Sequence, residues 1–195
     1  MPSPPFLIPN KKMACTLTLG RIEPCKDQVG GLNYVYFINS IDLASVAYDT
    51  ANTDVISQLA TAAVSAYAYE LKGTSNFEQA INSSRDNGTT FFEQVLNIVL
   101  KKQDAETTKQ LKLLSWAKPI VVVEDNNGNS WVMGLEHGSE VTAGSIVTGA
   151  AMGDLTGYNV TLTGQEREPA NFLKGAVANN PFAGLAGTKP TIIRG

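Results

Sequence analysis

Cysteine and histidine are nearly missing from this 195-residue chain, which has only Cys15, Cys25 and His137. A structural zinc site needs four nitrogen or sulfur ligands, and two cysteines with one distant histidine and no CxxC pair fall short. The cysteines read as reduced thiols of a protein assembled in the cytosol rather than as a disulfide. Cations are also scarce: 15 Lys and Arg against 18 Asp and Glu give a net charge of −3. A protein that grips nucleic acid by neutralising phosphates needs a basic stripe, so such a grip is not expected. A conduit past which nucleic acid slides stays compatible with that charge. No run of about 18 apolar residues occurs, so no membrane helix is expected and no membrane partner is inferred. Phe6-Leu7-Ile8 is bracketed by prolines and makes no signal-peptide core. Residues 1–13 are expected to be a flexible extension.

Signatures of chemistry are absent as well. His137 lies in a glycine-flanked loop beside Glu136 and Ser139, without the Gly-x-Ser-x-Gly elbow of a hydrolase. Gly184-Leu-Ala-Gly187-Thr-Lys189 lacks the order of a phosphate loop. The carboxylate pairs Glu124 with Asp125 and Glu166 with Glu168 sit at turns or strand ends, where solvation explains them. No enzyme activity, catalytic residue, metal or cofactor is expected, and no internal repeat of fixed period appears.

What is present is strand alternation, in a chain whose 43% hydrophobic content suffices for one core. Val64 to Lys102 reads as two or three consecutive strands, the later ones over Asn76 to Ser84 and Thr89 to Leu100. Asp86-Asn87-Gly88 between these two predicts a hairpin with a type I′ turn. Phe77, Gln79, Ile81 and Ser83 alternate with Asn76, Glu78, Ala80 and Asn82. Phe92, Leu96, Ile98 and Leu100 likewise alternate with Glu93, Val95, Asn97 and Val99. One surface is therefore apolar and the other mixed to polar. Ala14 to Gly20 predicts a first strand, and Asn33 to Ile41, apolar on both faces, a central one. Asp42 to Ala63 fits a short helix or a strand, with strand preferred because pairing continues on both sides. Asp104 to Ala117 predicts the one helix, capped by Asp104 and stopped before Pro119. Its flanking lysines read as a solvated face. Ile120 to Glu124 and Trp131 to Leu135 form a second hairpin, and Tyr158 to Gly164 a further strand. The fold class is mainly β, a sandwich or barrel with one flanking helix and a long hairpin. The β domain covers 14–168. Residues 169–195 lack periodicity and read as an arm with spaced apolar anchors.

One set of segments carries a family likeness. It comprises Val122-Val-Glu-Asp-Asn-Asn-Gly-Asn-Ser-Trp-Val-Met-Gly-Leu-Glu-His-Gly-Ser-Glu-Val141, Thr148-Gly-Ala-Ala-Met-Gly-Asp-Leu-Thr-Gly-Tyr158 and Thr161-Leu-Thr-Gly-Gln-Glu-Arg-Glu-Pro169. Together with Asn87-Gly-Thr-Thr-Phe-Phe-Glu-Gln94 and the helix, these resemble tail tube and related tail structural proteins of bacteriophages of Bacteroidetes-type hosts. The resemblance implies a virion protein that assembles in rings, usually of six, stacked into a tube whose inner strands join in one barrel around passing DNA. Its implied partners are further copies of itself, other tail proteins and genomic DNA in transit. A connector, terminator or baseplate protein of the same fold, or the tube of a contractile injection system, is the alternative. A ligand-binding barrel or an enzyme is a more distant one. If the hairpin strands line such a tube, Asn76, Glu78, Asn82, Glu93 and Asn97 are the candidate lumen residues. The competing reading makes the glutamates ordinary solvated positions on an outer face. Phe91 and Phe92, with Phe172, Leu173, Phe182, Ile192 and Ile193 of the arm, are candidate subunit-interface residues.

Overall fold

The run Pro-Ile-Val-Val-Val-Glu-Asp puts apolar side chains on both sides of a strand, and such a strand is stable only with an apolar layer on each face. That strand, β7 (Pro119–Asp125), is buried over six consecutive residues near the middle of an eight-stranded sheet. Its neighbour β1 (Leu32–Asn39) is built the same way. The computed structural model describes residues 19–43, 45–59 and 63–195. The N-terminal extension, Cys15 and most of the strand expected over Ala14 to Gly20 lie outside the described residues.

The large sheet also contains β2 (Ala47–Tyr48), β3 (Val55–Gln58), β4 (Ser65–Glu70), β8 (Ser130–Met133), β11 (Asn171–Leu173) and β12 (Thr191–Ile193). Their order is β12-β4-β1-β7-β8-β11-β3-β2. A second sheet of four strands, ordered β5-β6-β10-β9, is made by β5 (Asn76–Ser84), β6 (Thr89–Lys101), β9 (Glu140–Val147) and β10 (Gly157–Glu166). The mainly β architecture, with one α-helix among the described residues, is thus observed, as two packed sheets.

Between the sheets Val35, Phe37, Val121, Val123 and Met133 meet Leu96, Ile98, Tyr158, Val160 and Leu162. On the far side of the large sheet Tyr36, Ile38, Ile120 and Val122 form a second core. Leu43, Val46, Ile56 and Leu59 cover it, together with Leu173, Phe182 and Leu185 from the C-terminal region. Residues 169–195 therefore differ from the expected arm. They contribute two strands to the sheet and, at Phe182, a ring only 1% exposed. Their scattered apolar residues have no period because they plug a core from irregular backbone rather than from one long element.

Other local expectations meet the same test. The ambiguous segment forms strands β2 and β3. Val64 to Lys72 forms β4, but it pairs with β1 in the large sheet rather than extending the β5–β6 hairpin. The hairpin turn is a four-residue loop in which Gly88 N–H donates to Arg85 O at 3.3 Å and Gly88 alone takes a positive φ, 64°. A type I′ turn would need positive φ at both central residues, so that expectation fails. The stretch rich in small residues hides β9, which alternation of bulky side chains could not reveal. α1 (Ala105–Leu114) starts where Asp104 Oδ1 accepts from Thr107 N–H at 2.7 Å, while Leu111 and Leu114 rest on the inter-sheet core. Trp116 just beyond is 74% exposed, with the Lys112 ammonium 5.3 Å from its ring centre.

Candidate functional site: the outer face and edges of the four-stranded sheet

β6 is the longest strand, 13 residues, and its alternation sets the two faces of the small sheet. Register then decides which side chains share a face. Phe77 stands opposite Leu96 and Ile81 opposite Phe92, on the core side. Asn76 stands opposite Asn97, Ala80 opposite Glu93 and Asn82 opposite Phe91, on the outer side. β10 adds Asn159, Thr161, Thr163 and Gln165 there, opposite Val99, Asn97, Val95 and Glu93. All five candidate lumen residues consequently share one face, including Glu78, which stands opposite Val95.

This face is stitched by neutral groups. Asn97 Nδ2 donates to Asn76 Oδ1 at 3.2 Å, and Thr161 Oγ1 donates to Asn97 Oδ1 at 2.8 Å. The Thr142 and Thr163 hydroxyls are 3.0 Å apart, and Asn82 Nδ2 reaches Glu93 Oε2 at 3.5 Å. By register, Lys101 opposite Gly157 and Glu140 opposite Thr163 mark the two margins. Between those margins Glu78 and Glu93 are the charged strand residues, and no cation stands there. Between its margins the face has hydrogen-bonding groups and weak negative charge, and lacks the cations that would neutralise phosphates.

The two sheets end differently. The outermost strands of the large sheet, β2 and β12, are two and three residues long. Those of the small sheet, β5 and β9, are nine and eight. Neither β5 nor β9 contains Lys or Pro, two usual guards of an edge, although the β9 register on β10 shifts at Thr142.

At one end of β6 a cleft of about 260 Å³ opens between the strand end and the start of α1, lined by Tyr69, Glu70, Lys72, Lys101, Lys102 and Asp104 among others. Lys72 pairs with Glu70 at 3.0 Å. The Asp104 carboxyl, held by its cap bonds to Thr107, stays below the usual carboxylate range.

Three buried polar side chains were not foreseen from turn or strand-end position. Glu166, 6% exposed, accepts from the backbone N–H of Glu136 and of His137 at 3.1 and 2.9 Å and meets His137 Nδ1 at 3.1 Å. Gln94 Oε1 accepts from Gly134 N–H at 3.0 Å. Both side chains come from the small sheet and fasten the loop that leads from β8 to β9. Burial pushes the Glu166 carboxyl up despite these donors. Glu124, fully buried, accepts from Tyr36 Oη at 2.9 Å and from Asn179 N–H at 2.8 Å, tying the C-terminal region to the sheet. Burial first, then this carboxylate, push the Tyr36 hydroxyl up. The expectation that Glu124 and Glu166 are solvated is thereby corrected: each is a buried carboxylate that accepts hydrogen bonds from a loop or from a buried hydroxyl.

Glu136, His137 and Glu166 bring possible ligand atoms within 4.8 Å of one another. The Glu166 oxygens already take three donors and Glu136 pairs with Arg167 at 2.8 Å, so the cluster is a loop fastening. Ser139 Oγ, buried beside it, has no hydrogen-bond partner, so no histidine-activated serine is assembled there.

The candidate interface residues separate. Phe91 faces outward beside the candidate lumen residues, and Phe92 faces the core side. Phe172, 44% exposed, meets Trp131 with ring centres 5.4 Å apart and planes tilted by 50°. Leu173 and Phe182 are consumed inside this subunit's second core, which removes them from any surface. Ile192 rests against that core, while Ile193 beside Tyr67 stays exposed.

No family model matches the chain, and no curated protein matches it. Among solved structures it is similar to a chain of a particle described as the virion of a native gene transfer agent. That likeness spans 54% of this chain and 88% of the other, with 9% identity and a TM-score of 0.34.

Proposed function

We propose that this protein is a structural subunit of a phage-like virion, a tail tube or closely related ring component, whose copies join side by side into a barrel that conducts DNA. The observation that carries the reading is the pair of long edges without Lys or Pro on the small sheet, beside a large sheet that ends in very short ones. Direction supports it. Adjacent strands of the small sheet are antiparallel throughout, and with four strands β9 runs opposite to β5. A rotated copy therefore presents its β5 antiparallel to the β9 beside it, and the ladder closes without a reversal. Six copies, the number the resemblance implies, would align roughly 24 strands. At a spacing of about 4.8 Å and a tilt of about 40° these trace a backbone circle about 48 Å across. The outer face would line the bore, placing Glu78 and Glu93 as rings of negative charge among Asn and Thr, so that DNA slides without sticking.

Electron microscopy of the purified protein tests this. Rings or tubes are expected, and Ile146→Lys, which puts a charge on the β9 edge, should reduce them to monomers that remain folded. Monomers alone at every concentration, or rings unaffected by a charged edge, would refute the assembly.

A further inference from the structure

The β5–β6 turn and the cleft at the start of α1 lie at opposite ends of one strand. β6 runs from Thr89, beside the turn, to Lys101, in the cleft, about 40 Å at the usual rise per residue. Each end carries unspent charge. On the turn, Arg85-Asp86-Asn87-Gly88 is exposed throughout, and Asp86, beside the opposite charge of Arg85, has no partner among the described residues. In the cleft, Lys72 is taken by Glu70, but Lys101 and Lys102 make no ion pair among the described residues, although the Lys102 charge helps hold the Asp104 carboxyl down. Lys102 is held at φ 65°, a conformation rare for such a residue, by its N–H donating to Thr156 O at 2.7 Å. Towards the turn the core-side face of the hairpin also loses its cover: Phe77 packs on Trp131, but Ile81, four residues on, is 68% exposed. The hairpin therefore projects beyond the sandwich with a charged tip and an apolar flank. The cleft, at about 260 Å³, is open and smaller than small-molecule pockets usually are.

We propose that this cleft receives the Arg85–Gly88 turn of a second copy of this chain, Asp86 meeting Lys101 and Lys102, so that copies join head to tail along the strand axis. A contact between two different patches related by translation does not close on itself and extends indefinitely. It rests on the ring reading for its biological sense, since it supplies the axial contact that would stack rings closed through their edges.

A charge swap tests it. Asp86→Lys alone puts a cation against cations, and Lys101→Asp with Lys102→Asp puts anions against an anion. Asp tolerates the left-handed backbone better than Lys, so position 102 is not strained further. All three positions are exposed, and circular dichroism checks that each variant folds. Sedimentation and electron microscopy should show each variant needing a concentration higher by on the order of tenfold or more to associate end to end. An equimolar mixture should recover wild-type association, because each tip then finds a cleft of opposite sign, and 0.5 M salt should weaken the wild type towards the variants, at a Debye length of about 4 Å. Association of either variant at wild-type strength, or a mixture that recovers nothing, overturns the proposal. So does loss of nucleic-acid binding in the cleft variant with self-association intact, which would assign the lysines to phosphates. Single rings that never stack would overturn this contact and leave the ring reading standing. End-to-end strings without rings would do the reverse, and monomers alone would sink both.

Discussion

Phe182→Ala distinguishes a C-terminal region that belongs to the core from one that waits for a neighbour. The ring is almost wholly buried and meets Tyr36 edge-on, with centroids 5.7 Å apart and planes at 71°. It covers the same cluster as Ile38, Ile56 and Val122. Truncating a buried phenylalanine costs about 3–5 kcal/mol, because the transfer energy is lost and a cavity is left. Against a total stability of about 5–15 kcal/mol that is a large share. For a chain of this size each kcal/mol moves the melting temperature by about 2–4 °C, so a fall of about 6–20 °C is expected. Phe172→Ala, on a half-exposed ring in the same region, should cost about 1 kcal/mol. Urea unfolding at concentrations too low for assembly measures both, and an unchanged slope m certifies that the midpoints compare stability. If Phe182→Ala unfolds with the wild type, and a chain ended after Glu168 keeps its midpoint, the region is no part of the core and the reasoning is wrong.

Other perturbations follow from particular contacts. Glu166 has its pKa raised by burial, so ionising it disfavours the fold: its contribution is fully present below the unfolded value of about 4.3 and is lost as pH rises through the folded value. Glu166→Gln keeps an acceptor for the two backbone N–H groups, so its stability relative to wild type should climb across that window and then level off; a flat difference from acid to neutral pH would contradict this. Asp104→Ala removes the cap of α1 and should cost about 1 kcal/mol in thermal unfolding, with loss of helical signal near that end. Glu78→Lys with Glu93→Lys should leave rings intact while slowing DNA ejection from reconstituted particles, and normal ejection would show that these side chains do not line the path.

The strands that alternate large apolar with polar residues were legible because period 2 maps directly onto two faces. β5, β6 and β10 belong here, and with them the grouping of Asn76, Glu78, Asn82, Glu93 and Asn97. β1 was legible for the opposite reason, since a strand apolar on both faces belongs at the centre, and β7 as a β-branched run, whereas the second core beneath both was not foreseen. β9 was not, because Thr142, Ala143, Gly144 and Ser145 give no contrast between faces and its existence depends on pairing with β10. Glu124 and Glu166 looked solvated because local position reveals nothing about partners distant in the chain. The donors to Glu124 come from Tyr36, Asn179 and Asn33, 88, 55 and 91 positions away. A single signal was available for Glu166: it ends a strand on whose core side Tyr158, Val160, Leu162 and Gly164 precede it at even spacing, which places its own side chain inward.

The distribution of committed and uncommitted surface suits the proposed assembly. Both faces of the large sheet are occupied by cores, and its short ends offer almost no ladder to a partner. In the small sheet only one face is occupied. Its other face, its two long edges and its two ends remain, and these are the three kinds of surface a tube subunit needs, for the bore, for its neighbours in a ring and for the rings above and below. An isolated β domain with eight- and nine-residue open edges would invite indiscriminate pairing. Closure satisfies those backbone groups and makes the edges specific through register. The charge pattern suits the division: anions on the outer face, where nucleic acid would pass, and cations beyond it on the strand end and helix, where another subunit would sit.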